Sequence, residues 1–158
     1  MAVKGELSVW NHENTQLEGP RGNKSSLVFE YEHEVYMPFD REDNKLQGTR
    51  RIDAFSVTKE IDKLTPQLYE IVCKGRNCKK VQISLYRIAK DGGDEEEYFR
   101  YILEDAKIIS VRNHMPITKY EQNENIGHLE TVRFLAKSFS WQYLEGGVEY
   151  TEVSGLSA

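Results

Sequence analysis

The dominant pattern along the chain is a strict alternation of apolar and polar residues over short stretches, which is typical of β-strands with one buried face. Residues 80–89 show it most clearly, because Val81, Ile83 and Leu85 all fall on one side. The residues between such stretches are rich in glycine, asparagine and aspartate, which favour turns. The pattern predicts further strands at 3–10, 27–36, 51–58, 98–112 and 128–144.

The two long strands near the C-terminus depart from this alternation because both of their faces carry apolar side chains. In 98–105, Phe99 and Leu103 fall on one face while Tyr98 and Ile102 fall on the other. Two explanations remain open. The second face packs on a helix or on another subunit, or a β-bulge changes the phase within the strand.

One helix is predicted, at about residues 65–75. Thr65 is expected to be its N-cap and Pro66 its first residue, where a missing N–H costs nothing. Gly75 can close the helix in the left-handed conformation. The buried face is predicted from the spacing of Leu68, Ile71 and Val72.

These elements predict a mainly β protein, a sandwich or a small antiparallel barrel, with one short flanking helix. At 158 residues, the chain is expected to form a single domain, 1–158, with a mobile polar tail from about residue 146. Residues 37–50 are polar and charged, without apolar periodicity. This loop is long for a strand connection, and long loops are often functional.

Composition narrows the function classes. The chain has 21 Lys and Arg against 26 Asp and Glu residues, and no basic run exceeds a pair. Binding to nucleic acid is therefore not expected, since it needs a concentrated basic surface. No apolar run has the length of a membrane helix or a signal peptide. We expect synthesis in the cytoplasm, no membrane insertion, and export only by a route without a cleavable signal.

No catalytic or metal-binding constellation is apparent. The histidines, His12, His33, His114 and His128, are scattered, and none has the spacing of metal ligands. His33 shares the aromatic face of its strand, so a hydrogen-bonded structural role is expected. Cys73 and Cys78 are expected to be reduced thiols. We therefore predict no enzyme, no cofactor and no metal site.

The helix and the segments around it resemble the Hcp family, the tube-forming proteins of bacterial type VI secretion. The resemblance rests first on residues 57–68, VTKEIDKLTPQL, followed by a short helix and an alternating strand. It extends over roughly residues 25–145, through LEDA at 103–106, HMP at 114–116 and FSW at 139–141. The Gly-Glu-Ser turn common near the N-terminus of the family is replaced here by Leu17-Glu18-Gly19-Pro20.

The resemblance implies a β-barrel of two sheets with one helix on its flank, and a structural function. Family members form hexameric rings that stack into a tube, and a contracting sheath drives this tube out of the cell. The implied partners are other copies of the chain, the sheath and spike proteins, and small effectors carried inside the ring.

Two sets of residues follow from the resemblance. The long loop corresponds to the family's extended loop, which reaches toward a neighbouring ring or subunit, and the helix is implied to lie on the lumen side. The predicted ring-stacking residues are Pro38, Asp40, Arg41, Glu42, Asp43, Lys45, Arg50 and Arg51. The candidate lumen or cargo contacts are Gln67, Glu70, Lys74 and Arg76, which are equally explained as solvated helix positions.

Two alternatives remain at this stage. A phage-type tail tube protein would share the fold class and the stacking behaviour. A monomeric ligand-binding β-barrel would show clean inward and outward alternation and form no ring, which the two-sided apolar strands disfavour. A toxin domain fused at the C-terminus, as some family members have, does not fit in the residues after the last predicted strand.

Overall fold

The structure, a computed structural model, describes residues 4–155. The strands are β1 (Lys4–Trp10), β2 (Ser26–Glu32), β3 (Val35–Tyr36), β4 (Phe39–Asp40), β5 (Lys45–Leu46), β6 (Arg51–Ile52), β7 (Phe55–Glu60), β8 (Asn77–Ile88), β9 (Glu95–His114), β10 (Leu129–Tyr143) and β11 (Val148–Val153), with a helix α1 (Thr65–Lys74) and a 3-10 turn (Glu121–Asn123). Six of these strands form a closed antiparallel barrel in the order β10-β7-β2-β1-β8-β9, and β9 also pairs with β10.

The barrel interior is filled by side chains. Val81, Ile83 and Leu85 point inward, as their alternation predicts, and Phe55 and Phe134 are fully buried beside them. These residues belong to one continuous apolar cluster that also includes residues of α1. The predicted fold class, a mainly β barrel with one flanking helix, is confirmed.

A backbone irregularity at Asp105 and shifts of strand register accompany the two-sided apolar pattern. In β9, Leu103 and Ala106 are both buried. Ala106 is the third residue after Leu103, so in a regular strand the two side chains would point to opposite faces. Asp105 lies between them with a φ of 48°, a left-handed conformation that aspartate tolerates better than most residues. A second irregularity shifts the β9–β10 register between Arg133 and Phe134. Packing of α1 against β9 covers part of the same strand, so both explanations contribute.

The helix ends where the sequence predicts, but it begins differently. The Gly75 φ is 63°, and the Gly75 and Arg76 amides donate to the carbonyls of Val72 and Ile71, a Schellman closure. The N-cap, however, is Leu64, which makes no side-chain cap hydrogen bond. The prediction that Thr65 caps the helix is wrong, because its hydroxyl takes part in buried hydrogen bonds described below.

The long loop is more ordered than its polarity indicates. Residues 35–52 form a narrow hairpin, which we call the arm. At its base β3 pairs with β6, and further out β4 pairs with β5. The ladder continues between these pairs through the Gln47 amide, which donates to the Pro38 carbonyl at 2.7 Å.

Strand β11 was not predicted, since the residues after 145 were expected to form a mobile tail. Val148–Val153 pair with Ser138–Tyr143 of β10, and the Tyr150 ring stacks on Trp141 at 6.0 Å. Residues 156–158 of that tail lie outside the described residues. No helix of residues 4–155 is long and apolar enough to cross a membrane.

Candidate subunit interface

At one end of the barrel, among residues 4–155, four strands extend past their neighbours. Strand β1 pairs with β2 only as far as Val28, and β8 pairs with β9 only as far as Lys107. Beyond these points the sheet continues as β2-β7-β10-β9. We call this part the open-edged sheet. It consists of residues 30–32, 56–60, 129–134 and 108–114.

Each lateral edge of the open-edged sheet lacks a strand partner among residues 4–155. Residues 30–32 of β2 pair with β7 on one side only, and residues 110–114 of β9 pair with β10 on one side only. An unpaired edge presents backbone N–H and C=O groups that can accept another strand. The two edges come from different strands of opposite direction, so they are not equivalent surfaces.

One face of the open-edged sheet is polar and solvent-accessible. Thr58 and Thr131 face each other in its middle, with their hydroxyl oxygens 3.2 Å apart. Glu30 stands beside Thr58 on β2, and Arg112 stands beside Thr131 on β9. The next row carries Glu32, Ser56, Arg133 and Ser110, so in this row the basic residue lies on β10 and a hydroxyl group lies at the β9 edge.

The opposite face has a buried centre that contains an ion pair next to the start of α1. Lys59 and Glu130 are cross-strand neighbours, both fully buried, with Nζ and a carboxylate oxygen 2.5 Å apart. The Thr65 hydroxyl donates to Glu130 at 2.7 Å, and Lys59 also contacts Asp62 at 3.1 Å. The second carboxylate oxygen of Glu130 has no partner among the described residues.

This buried group was missed in the sequence analysis, although a signal was present. Phe55, Val57 and Lys59 follow one another at a spacing of two, so Lys59 falls in phase with two core residues. A lysine at an inward position must have an anionic partner, because burial of an unpaired charge is very costly. The partner, Glu130, lies 71 positions away and could not be identified without the strand pairing.

The predicted stacking residues divide into two groups. Asp40, Arg41, Glu42, Asp43 and Lys45 lie together around the tip of the arm, where all but the half-buried Asp40 are exposed. The other predicted residues, Pro38, Arg50 and Arg51, lie toward its base.

Arg50 is held by contacts within the chain. Its guanidinium donates to Glu152 at 2.9 Å and to the Val153 carbonyl at 2.7 Å. These bonds join the base of the arm to β11.

The arm also exposes apolar side chains that the sequence analysis did not select. Met37, Phe39 and Leu46 are 42%, 56% and 66% exposed. Phe39 and Leu46 are cross-strand partners near the tip. Exposed apolar residues grouped on a projecting element are typical of a contact surface.

The predicted lumen residues are largely engaged with one another or with the chain. The Gln67 amide donates to the carbonyls of Glu18 and Lys63 at 2.9 and 3.0 Å. Glu70 pairs with Lys74 at 2.9 Å and lies 3.8 Å from Arg76. The Lys74 hydrogen bond lowers the pKa of Glu70, which is exposed on the helix surface.

His33 is a structural residue within an aromatic cluster. Its ring lies 5.0 Å from that of Phe55 and stacks on Phe139 at 5.2 Å. Burial lowers its pKa, while a hydrogen bond to the Asp53 backbone opposes this change. Its Nε2 atom has no partner among the described residues, so the expected hydrogen bonding is only partial.

Residues 4–155 contain no group of three or more His, Cys, Asp or Glu side chains placed to hold a metal ion. A surface depression of about 510 Å³ is lined by residues that include Arg87, Glu96 and Glu145. Arg87 pairs with both of these glutamates, at 3.1 and 2.9 Å.

Cys78 is buried, which raises the pKa of its thiol to about 12, while Cys73 is exposed. Neither thiol has a disulfide partner in the structure.

The closed antiparallel barrel, its one flanking helix and the projecting arm define the fold class of the protein. The family model described as "Type VI secretion system effector, Hcp" matches residues 5–143. The chain belongs to the Hcp family of type VI secretion proteins, which is a family of secreted structural proteins and not of enzymes.

Known relatives agree with this assignment. The "Major exported protein" of Pseudomonas aeruginosa is 31% identical over 131 residues, which cover 83% of this chain and 71% of that protein. Among solved structures, a double mutant of the Hcp1 protein from E. coli EAEC 042 is 30% identical, with a TM-score of 0.84 and coverage of 97% and 99% of the two chains. The secreted protein Hcp3 from Pseudomonas aeruginosa shares the fold, with a TM-score of 0.78, 22% identity and coverage of 96% and 98%.

Proposed function

We propose that this protein is the tube-forming component of a type VI secretion system. In this proposal the chain forms a homohexameric ring, rings stack into a tube, and contraction of a surrounding sheath expels the tube. The observation that carries the proposal is the open-edged sheet, whose edges on β2 and β9 lack strand partners among residues 4–155.

The geometry of these edges favours head-to-tail association. Neighbouring strands in the open-edged sheet are antiparallel, so its first and last strands, β2 and β9, run in opposite directions. When β2 of one copy lies beside β9 of the next copy, the antiparallel order continues across the join. A contact between two different surfaces repeats with every added copy, and it ends only when the chain of copies closes into a ring.

The arm supports the second step, the stacking of rings. Its tip combines charges of both signs with the exposed Phe39 and Leu46. Exposed ion pairs are individually weak, so such contacts give reversible association that becomes strong when it repeats around a ring. We infer that the arm contacts the neighbouring ring or subunit through Asp40, Arg41, Glu42, Asp43 and Lys45.

The proposed function also includes export of the protein and transport of cargo. We propose that the protein leaves the cytoplasm with the tube, without a cleavable signal peptide, and acts together with sheath and spike proteins. Small effectors would travel inside the ring, and Gln67, Glu70, Lys74 and Arg76 remain proposed contacts for them. Lys74 and Arg76 pair with the exposed Glu70 and would lose weak ion pairs on binding a cargo. Gln67 would instead lose hydrogen bonds to two carbonyl groups.

Both alternatives are less well supported. A ligand-binding barrel needs a cavity in its interior, whereas Leu7, Phe55, Ile83, Leu103 and Phe134 fill this one. A phage-type tail tube protein would share the architecture, but the family match favours type VI secretion.

The test is the assembly state of the purified protein. Native mass spectrometry is expected to give a homohexamer, and negative-stain microscopy of the same fraction should show rings with a central hole. Only monomers at high protein concentration would contradict the proposal and favour the ligand-binding barrel.

A further inference from the structure

The two edges of the open-edged sheet carry opposite charges. Glu30 and Glu32 project from β2 at one edge, on the polar face. Arg112 projects from β9 at the other edge of the same face, and Arg133 lies one strand behind it on β10. Ser56, Thr58 and Thr131 occupy the space between these charges. The polar face is therefore acidic on β2, with a further acidic residue, Glu60, on β7, and it is basic on β10 and β9.

None of the side chains of Glu30, Glu32, Arg112 and Arg133 has an ion partner within 4.0 Å among residues 4–155. Many other charged residues in the same range do form ion pairs. All four are exposed, so each can reach beyond its own strand. The separation within one copy explains why they do not pair. Glu30 and Arg112 are three strands apart, a distance of about 14 Å for strands spaced about 4.8 Å apart.

We propose that these charges select the neighbour in the ring, with Glu30 and Glu32 of one copy facing Arg112 and Arg133 of the next. This inference rests on the proposed ring and names the residues that direct its assembly. When β2 of one copy extends the sheet at β9 of another, the acidic edge lies one strand spacing from Arg112. Opposite charges on adjacent strands stabilise the pairing, and like charges destabilise it.

The same charges disfavour incorrect contacts. Two acidic β2 edges repel each other, and so do two basic β9 edges, so symmetric dimers through either edge are disfavoured. Only the contact between unlike edges is favourable, and it is the contact that builds a ring. The occupant of each edge is therefore a second copy of this chain.

A charge-exchange experiment tests this assignment. The acidic edge is reversed in Glu30→Arg/Glu32→Arg, and the basic edge in Arg112→Glu/Arg133→Glu. In each variant both edges then carry the same sign, so we expect the ring fraction in native mass spectra to fall at least tenfold at the same protein concentration. An equimolar mixture of the two variants should recover rings in which the variants alternate, in equal numbers, because each join again unites unlike edges.

Two controls separate charge pairing from damage to the fold. Glu13→Arg/Asp94→Arg makes the same change in net charge as Glu30→Arg/Glu32→Arg, at exposed sites outside the open-edged sheet, and should leave the ring fraction unchanged. Circular dichroism of each edge variant should match that of the unmodified protein. The neutral variant Glu30→Gln/Glu32→Gln should retain rings that depend less on salt concentration than those of the unmodified protein.

The outcomes are distinct for the two proposals. If the unmodified protein forms no rings, the proposed function fails. If it forms rings and the edge variants form them equally well, the charge assignment is overturned while the proposed function stands. If the variants lose rings and their mixture does not recover them, the assignment is also overturned.

Discussion

At the scale of single residues, the buried Lys59–Glu130 pair has the largest expected effect on stability. Both side chains are fully buried, and the Thr65 hydroxyl of α1 donates to Glu130. The pair thus joins two strands of the open-edged sheet to the start of the helix. Removal of one partner from such a pair leaves an uncompensated buried charge, which is strongly destabilising.

We therefore expect Lys59→Met to lower the free energy of unfolding by roughly 3–5 kcal/mol. Urea denaturation followed by tryptophan fluorescence measures this change. Lys63→Met is the matched control, since Lys63 is exposed in the same connection, and it should change stability little. A loss below about 1 kcal/mol in Lys59→Met would show that the pair is dispensable.

His33 predicts a dependence of stability on pH. Burial lowers its pKa below the ordinary 6.5, so the unfolded chain binds a proton more readily than the folded one. The free energy of unfolding then decreases as the pH falls below about 6.5, until His33 is protonated in the folded state as well. Above that pH the contribution is fully retained.

The variant His33→Phe keeps an aromatic ring beside Phe139 but cannot titrate. Its free energy of unfolding should decline less than that of the unmodified protein between pH 7 and pH 5, as measured by urea titrations at several pH values. His12→Gln, at an exposed position, serves as the control. Parallel curves for His33→Phe and the unmodified protein would rule out this role.

Single residues also mark the limits of prediction from sequence. Gly75 was correctly assigned, since a helix end needs a left-handed residue within a few positions. Thr65 was misassigned, because a hydroxyl at a helix start can bond either to the helix or to a partner distant in sequence. The choice depended on Glu130, whose proximity arises only from the pairing of β7 with β10.

At the scale of elements, the arm is the part with the most direct experimental consequence. Asp40→Asn, Arg41→Gln and Glu42→Gln together remove the charges at the start of its tip. We expect this triple variant to form normal rings but fewer and shorter tubes, because the tip lies away from the open-edged sheet. Native mass spectrometry reports on the rings and electron microscopy on the tubes.

A matched control for the arm is the pair Glu121→Gln and Glu124→Gln in the exposed loop of the 3-10 turn, which should leave both rings and tubes unchanged. Loss of rings in the triple variant would refute the assignment of the arm tip to stacking. It would place these residues in the contact between neighbouring subunits of one ring instead.

The elements were predictable where their signal was local. Strict alternation identified β8, and turn residues on both sides fixed its approximate ends. The arm was predicted only as a loop, because its strands are two residues long and too short for a periodic pattern. Strand β11 was not predicted because its order depends on pairing with β10, including the stack of Tyr150 on Trp141.

At the scale of the whole molecule, the resemblance to the family indicated the fold and the kind of function, and both the fold and the family are confirmed. The open-edged sheet was not foreseen. Its existence depends on β1 and β8 ending their pairing at Val28 and Lys107, while β7 and β10 continue beyond those points. Such differences in length between partners are not visible in any one strand. No pattern in the sequence therefore singles out the four charged residues at these edges, Glu30, Glu32, Arg112 and Arg133.

In the proposed ring, the two edges that lack strand partners among residues 4–155 also determine which oligomer sizes should accumulate. Any incomplete arc of copies ends in one acidic and one basic edge, so its two ends attract each other as well as free copies. An arc with the right curvature closes, and closure removes both reactive ends at once. The size distribution of the protein should therefore contain single copies and complete rings with few intermediates, and dilution should dissolve rings abruptly instead of shortening them step by step.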